Sequence, residues 1–262
     1  MKPVLFDILG WEVPTHEFFV GLGVATACGI YYLEARRRGL LSEQTAWVAV
    51  GALIGGAILA KVGSAWRFAG SGATLSELYV FGGRSILGGL AGAYFGAVIA
   101  KRLVGYRRST GDLFAPAVAI GLAIGRLGCF FTEQIGTTTA MPWGLTVSTA
   151  TAATIPNCPQ CASGQAMHPS FLYEVAFHAA AFAVLWWSRD RLSRDGLSFM
   201  LYLLAYGLFR FGVEFVRGNP DLALGLSGSQ IFLLFTIPIL VIHLVRRYVG
   251  TERRPEVSRV RT

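Results

Sequence analysis

Seven apolar runs, parted by short polar breaks, constrain this chain more than any other feature. They cover residues 18–33, 45–59, 86–100, 113–131, 170–187, 197–213 and 229–245. A helix needs about 20 predominantly apolar residues to cross a hydrocarbon core of about 30 Å. Several runs fall short of that, so the helix ends stay open at this stage. Only 15% of the residues are charged and 53% are hydrophobic, against about 25% charged in soluble domains. The expected fold is all-α, a polytopic membrane protein with about seven transmembrane helices. Glycine, with 32 residues, clusters at 51–63 and 82–96, where small side chains let membrane helices approach closely. Residues 1–19 carry acidic residues and prolines where a signal peptide has its apolar stretch, so no cleavable signal is expected.

The formal charge of +8 points to topology, not to nucleic acid. Most lysines and arginines lie in four clusters: 36–38, 101–108, 189–194 and 246–261. These follow the first, third, fifth and seventh runs. Basic loops stay in the cytoplasm, which places the N-terminus outside and the C-terminus inside. The clusters also suit contact with anionic lipid heads. One membrane-embedded domain is expected over 1–249, followed by a basic, disordered cytoplasmic tail at 250–262. The segments richest in chemistry then share the outer side: the loop 82–89, the segment 132–168, and the end of the sixth run at 214–221.

Within the sixth run, Tyr206, Arg210, Glu214 and Arg217 fall in one narrow sector of a helix at about 100° per residue. An ionisable group at membrane depth costs at least about 2.5–3.5 kcal/mol, so it faces a wet cavity or a partner. One reading is an Arg210–Glu214 pair that fixes helix packing. The other starts from the second arginine on the same face, which leaves net positive charge suited to an anion. Arg126 ends the fourth run and needs a partner in the same way, unless it reaches to the headgroups. Two arginines meeting from different helices suit a phosphodiester, because guanidinium forks match phosphate oxygens and stay charged. Glu133, just beyond, is a partner for Arg126 or a base.

His168, Pro169 and Ser170 open the fifth run, with Tyr173 and Glu174 following. Ser170 is placed to satisfy free N–H groups at the helix start. Glu174 stands before a long apolar stretch, although an early carboxylate also gains from the helix dipole. Tyr173 suits an interfacial aromatic belt equally well. The bend at 81–90, with Gly88 and Gly89, offers backbone N–H groups to an anion, but close helix packing explains its glycines as readily. Cys158 and Cys161 form a CxxC in the outer segment. A local disulfide, a metal site and a redox pair are the alternatives there, with the disulfide favoured on the oxidising side. Cys28 and Cys129 read as small packing residues. Apart from the minor metal alternative at the CxxC, no cofactor or metal site is expected.

In this order, the motifs resemble those of the prolipoprotein diacylglyceryl transferase family, bacterial enzymes of lipoprotein maturation. Residues 206–221 fit the family's Y-G-x-x-R-F-x-x-E-F-x-R-x-P-D pattern with one residue more before Pro220-Asp221. Gly125-Arg126-Leu127-Gly128, Pro142-Trp143-Gly144, His168-Pro169-Ser170, Leu172-Tyr173-Glu174 and Ser229-Gln230 extend the likeness. The resemblance implies transfer of a diacylglyceryl group from phosphatidylglycerol, or a similar anionic phospholipid, to the lipobox cysteine of a prolipoprotein. It also implies a site in the bacterial inner membrane that opens to the periplasmic side. By that likeness Arg126 and Arg210 hold the lipid phosphate, with Glu133 and Glu214 completing the catalytic set. Tyr206, Arg217, His168, Ser170, Tyr173 and Glu174 are expected to contact the substrates. So are Gly88, Gly89, Asp221 and Gln230.

The chain also departs from the family pattern. Leu87 stands where the loop G-G-x-S-x-H-G-G carries a histidine, and leucine transfers no proton. Cys129 replaces an asparagine, Thr137 and Met167 replace arginines, and Gly56-Ala57-Ile58 replaces Gly-Ala-Arg, with Lys61 one turn on. This pattern of a kept phosphate pair and altered neighbours implies two alternatives to the default reaction. One is a paralogue with another acceptor or lipid donor, and the other is a phospholipid-binding membrane protein without catalysis.

Overall fold

The computed structural model describes residues 4–65, 85–148, 152, 161, 164–191 and 195–249. Cys158, Arg84 and the tail 250–262 lie outside them. Seven helices among the described residues are long and apolar enough to cross a membrane. They are α1 (Thr15–Arg37), α2 (Glu43–Ala65), α3 (Ile86–Leu103), α4 (Gly111–Thr132), α5 (Ser170–Ser188), α6 (Leu197–Val213) and α7 (Gly228–Leu244). Each apolar run falls within or almost within one helix. The runs that looked short gain their length from polar flanks: α1 takes in Thr15, His16, Glu17 and, at its far end, Arg36 and Arg37. Two small antiparallel hairpins accompany the helices, β1 (Val4–Ile8) with β2 (Trp11–Pro14), and β3 (Asp221–Ala223) with β4 (Leu226–Ser227).

The chain divides into two compact units, Met1–Ile30 with Gly111–Thr262, and Tyr31–Thr110. In the second unit α2 and α3 run antiparallel through a seam of glycines. A Cβ on Gly51 would come within 2.7 Å of the Gly96 carbonyl oxygen, and one on Gly55 would strike the Gly92 carbonyl. Only hydrogen as a side chain permits that approach, and close backbone packing is what holds helices together where lipid removes the hydrophobic drive. At the cytoplasmic end expected for α1, the buried Glu34 carboxylate meets Arg37 at 2.7 Å and Arg38 at 3.4 Å.

In the first unit α4 lies against α5 and α6. Ala115 and Ala119 pack with Leu185 and Tyr202, small side chains of one helix admitting large ones of its neighbours. The start of α1 approaches α4 just as closely: a Cβ on Gly23 would stand 2.6 Å from the Gly121 carbonyl oxygen. Asp112, buried at the start of α4, accepts the Gly196 N–H at 2.7 Å and the Ser198 N–H at 3.1 Å. It thereby satisfies free donors where α6 begins. Large apolar side chains such as Leu234, Phe235 and Ile239 of α7 are exposed, as a lipid-facing surface requires. The segment 132–168 is anchored at its two ends by backbone bonds from Thr137 N–H to the Val216 carbonyl and from His168 N–H to the Thr137 carbonyl, each 2.9 Å.

Candidate functional site

The end of α4, the start of α5 and the end of α6 bring five charged side chains into one buried cluster of the first unit. Arg126 comes from α4, Glu174 from α5 and Arg210 from α6. Glu214 lies in the tight turn Glu214–Val216 that follows α6, with Arg217 next. Glu174, wholly buried, is shared by two arginines: Arg126 forms an ion pair with Oε2, and Arg217 Nη1 lies 2.6 Å from Oε1. The Tyr206 hydroxyl donates to the same carboxylate at 3.3 Å. Phe171, one turn before Glu174, lies under both cations, its ring centre 4.4 Å from Arg217 Cζ and 5.5 Å from Arg126 Cζ. A ring face at such distances attracts a guanidinium.

Arg210 pairs with Glu214 one turn along. The other Glu214 oxygen accepts the Ser227 hydroxyl at 2.6 Å and the Asn219 amide at 2.8 Å. Both carboxylates are therefore held from several sides, and each fixes the plane of a guanidinium group. Three arginines face two carboxylates, which leaves one positive charge unbalanced in a buried place. Arg126 Nε is also buried and has no hydrogen-bond partner among the described residues. A donor in that position is costly unless a guest or a water accepts from it.

A family model described as prolipoprotein diacylglyceryl transferase matches residues 3–246. The chain belongs to this family. It is 30% identical over 251 residues to a phosphatidylglycerol–prolipoprotein diacylglyceryl transferase of Clostridium tetani, covering 91% of this chain and 95% of that protein. A protein of the same name from Coxiella burnetii is 32% identical over 238 residues, 86% of this chain and 85% of its own length. One from Chromohalobacter salexigens is 34% identical over 212 residues, covering 75% and 73%. The family match crosses both compact units.

Of the residues expected from sequence, this family member gathers Arg126, Tyr206, Arg210, Glu214, Arg217 and Glu174 in the buried cluster. Glu174 is its hub, a larger part than a carboxylate favoured by a helix dipole. Arg126 pairs with Glu174 and not with Glu133. Glu133 is instead 46% exposed and faces His16 at 3.7 Å. Next to the hub, the Tyr173 hydroxyl accepts from Trp143 Nε1 at 2.7 Å and bonds His168 Nδ1 at 3.1 Å. Tyr173 is thus tied to Trp143 and His168 of the segment 132–168 and is more than a belt aromatic.

Other expected residues make contacts within the scaffold here. Ser170 is the first residue of α5 and makes no cap, because Pro169 holds that position. Its hydroxyl donates to the Ile135 carbonyl instead. Gln230 forms a reciprocal capping box with Ser227 at the start of α7 and donates to the Phe211 carbonyl at 3.3 Å. Gly88 and Gly89 lie inside the first turn of α3, where Ser85 is the cap and accepts the Gly88 N–H at 3.1 Å. Both pack on α2, as close helix approach expects; Gly82 and Gly83 of the same bend lie outside the described residues. Asp221 is exposed on the β3–β4 hairpin, where it pairs with Ser227, a partner of Glu214. Cys161 is buried and disulfide-bonded, while Cys158 lies outside the described residues.

Sequence reasoning missed Ser227, Asn219 and the wholly buried His178, which bonds the Tyr202 hydroxyl at 3.0 Å through Nδ1. Two signals were available. Ser227-x-x-Gln230 is the capping-box spacing, and His178 is a lone ring nitrogen pair in an otherwise apolar run.

Proposed function

We propose that this membrane protein transfers the diacylglyceryl group of phosphatidylglycerol to the lipobox cysteine thiol of a prolipoprotein, at a site on the outer face of the bacterial inner membrane. The observation that supports this reading best is the surplus buried cation together with the unpartnered Arg126 Nε. A phosphodiester carries one negative charge and two free oxygens, which suits that imbalance. Arg126, Arg210 and Arg217 supply forked donors, and the carboxylates of Glu174 and Glu214 hold those forks in place before any lipid arrives. Preorganised donors of this kind act where charge develops. In the reaction the acceptor thiol loses its proton to water and its sulfur bonds to the glyceryl carbon. The bond from that carbon to the phosphate oxygen breaks with its electrons on oxygen, and glycerol phosphate leaves. The three arginines stabilise the growing charge on the leaving oxygens. Tyr206 lends a hydroxyl to the same place, while His168 and Tyr173 flank it from the outer segment.

The test uses the purified protein in detergent with headgroup-labelled phosphatidylglycerol and a lipobox peptide. Labelled glycerol phosphate should appear together with a peptide whose cysteine has gained a diacylglyceryl mass. Arg126→Gln and Arg210→Gln should each lower the rate by about 10²–10³, as loss of one oxyanion donor does. Lipid that binds but is never consumed would refute transfer and leave a binding protein; consumption without peptide modification would indicate another acceptor.

A further inference from the structure

Three donors of different chemistry converge where α1 begins and α4 ends. His16 Nε2 lies 3.7 Å from Cys129 Sγ and 3.7 Å from Glu133 Oε1, and all three donor atoms lie within 4.8 Å of one another. Cys129 and Glu133 are one turn apart at the end of α4, and His16 reaches them from the first turn of α1. The separation between His16 and Glu133 is too long for a hydrogen bond; the Cys129 thiol bonds Glu133 and contacts His16, and a thiol makes only weak bonds of this kind. The triangle does match a metal. With zinc distances of about 2.3 Å to sulfur and about 2.0–2.2 Å to nitrogen and oxygen, ligand atoms around a tetrahedral ion stand about 3.3–3.6 Å apart. His16 needs to approach each of the other two by only a few tenths of an ångström, and the Cys129 and Glu133 donor atoms start within 4.8 Å of one another.

The surroundings fit as well. Glu17 Oε1 lies 3.6 Å from His16 Nδ1, on the far side of the ring from the converging atoms. That is beyond hydrogen-bond reach as it stands, but a short approach by this flexible exposed side chain would let it orient a ligating imidazole and select its tautomer. Thiolate, imidazole and carboxylate together suit Zn²⁺. Cys129 is buried and Glu133 is exposed, so the group opens outward. Three protein ligands leave a fourth position free, as in zinc sites that do chemistry. Arg126 stands one turn before Cys129, its Nη1 4.0 Å from Sγ, which puts the group next to the arginine cluster.

We propose that His16, Cys129 and Glu133 bind a zinc ion whose open position takes the acceptor thiol, an inference that rests on the transferase reading above. A thiol on zinc is deprotonated. Its proton passes to water, its sulfur forms the new bond to the glyceryl carbon, and the carbon–oxygen bond to phosphate breaks to release glycerol phosphate. No oxidant or reductant is needed. The site supplies the thiol activation that Leu87 cannot.

The full-length protein, stripped with a chelator, is titrated with Co²⁺, a coloured stand-in for zinc. One Co²⁺ per chain should bind, with a thiolate-to-metal charge-transfer band. Cys129→Ser should abolish the band, and His16→Gln and Glu133→Gln should weaken binding at least about tenfold, since even outer partners of a metal ligand cost about 10–100-fold. A Cys158→Ser/Cys161→Ser variant should keep the band, separating this site from the CxxC. Absence of the band in the parent protein, or its survival in Cys129→Ser, overturns the proposal. Glu133 is exposed, so its variant is expected to fold and keeps the test decisive if Cys129→Ser does not. The readout is independent of turnover. Cobalt binding without glycerol phosphate release would sink the transferase reading and keep the metal site, whereas turnover by a protein that binds no cobalt would sink the metal site alone.

Discussion

At Glu174 a single buried carboxylate serves two guanidinium groups and a phenol. Removing one partner from a buried ion pair strands the other charge, at a cost of about 3–5 kcal/mol. Glu174→Gln strands two, so a loss of at least that size is expected, read as a lower thermal midpoint in detergent. Adding Arg217→Gln removes one stranded cation, and the double variant should be less destabilised than the sum of the two single ones. Equal midpoints for Glu174→Gln and the parent protein would show that Glu174 is not the hub. Arg126, Arg210, Glu214 and Arg217 were legible in the sequence because a charge in an apolar run demands an explanation. Glu174 was legible only as a candidate, because a carboxylate early in a helix already has an ordinary reason to be there. Ser227 and Asn219 were hidden, since hydroxyls and amides in a loop carry no energetic signal until a buried carboxylate is seen to need them.

Helices α2 and α3 meet through backbone, and their glycines carry that contact. The glycine clusters at 51–63 and 82–96 announced close helix packing, and Gly88 and Gly89 pack on α2 as that reading expects. Spacing alone did not say which glycines face each other: Gly51 with Gly96 and Gly55 with Gly92 emerge only once the two helices are placed. A side chain on Gly92 must force them apart, because its Cβ would meet the Gly55 carbonyl and, at 2.6 Å, Leu59 Cβ. Overpacking costs about 1–3 kcal/mol for modest insertions. Gly92→Leu should exceed that range and lower the thermal midpoint clearly, whereas Gly29→Leu, where an added Cβ meets nothing within 4 Å, should leave it nearly unchanged. A Gly92→Leu protein as stable as its parent would mean that the seam does not hold α2 to α3. The sixth run shows a different limit of pattern reading. The helical period is expected to continue through Arg217, yet α6 ends at Val213 and a tighter turn follows. The Arg210–Glu214 pairing survives because the tighter turn begins only at Glu214.

Across the whole molecule, lipid makes the helices legible and leaves their arrangement obscure. The seven runs announce themselves because a charge inside them is expensive; the division into two compact units is set by which small residues face one another, and single-sequence periodicity carries no such information. Orientation is a separate matter that charge asymmetry addresses. The clusters at 36–38, 101–108 and 189–194 all follow odd-numbered helices, and basic loops are retained in the cytoplasm. If so, the β1–β2 hairpin, the segment 132–168 and the β3–β4 hairpin share the outer side, and the buried arginines open to the compartment where prolipoproteins emerge. Glu12, exposed on β2, and Arg107, exposed between α3 and α4, sit on opposite sides under this assignment. In intact cells a membrane-impermeant maleimide should modify Glu12→Cys above the parent background and leave Arg107→Cys unmodified until the membrane is permeabilised. The reverse pattern would turn the molecule over. It would also place the arginine cluster on the cytoplasmic side, where the lipobox thiol meets it before translocation instead of after, so this labelling bears on the order of events in the proposed transfer as well as on topology.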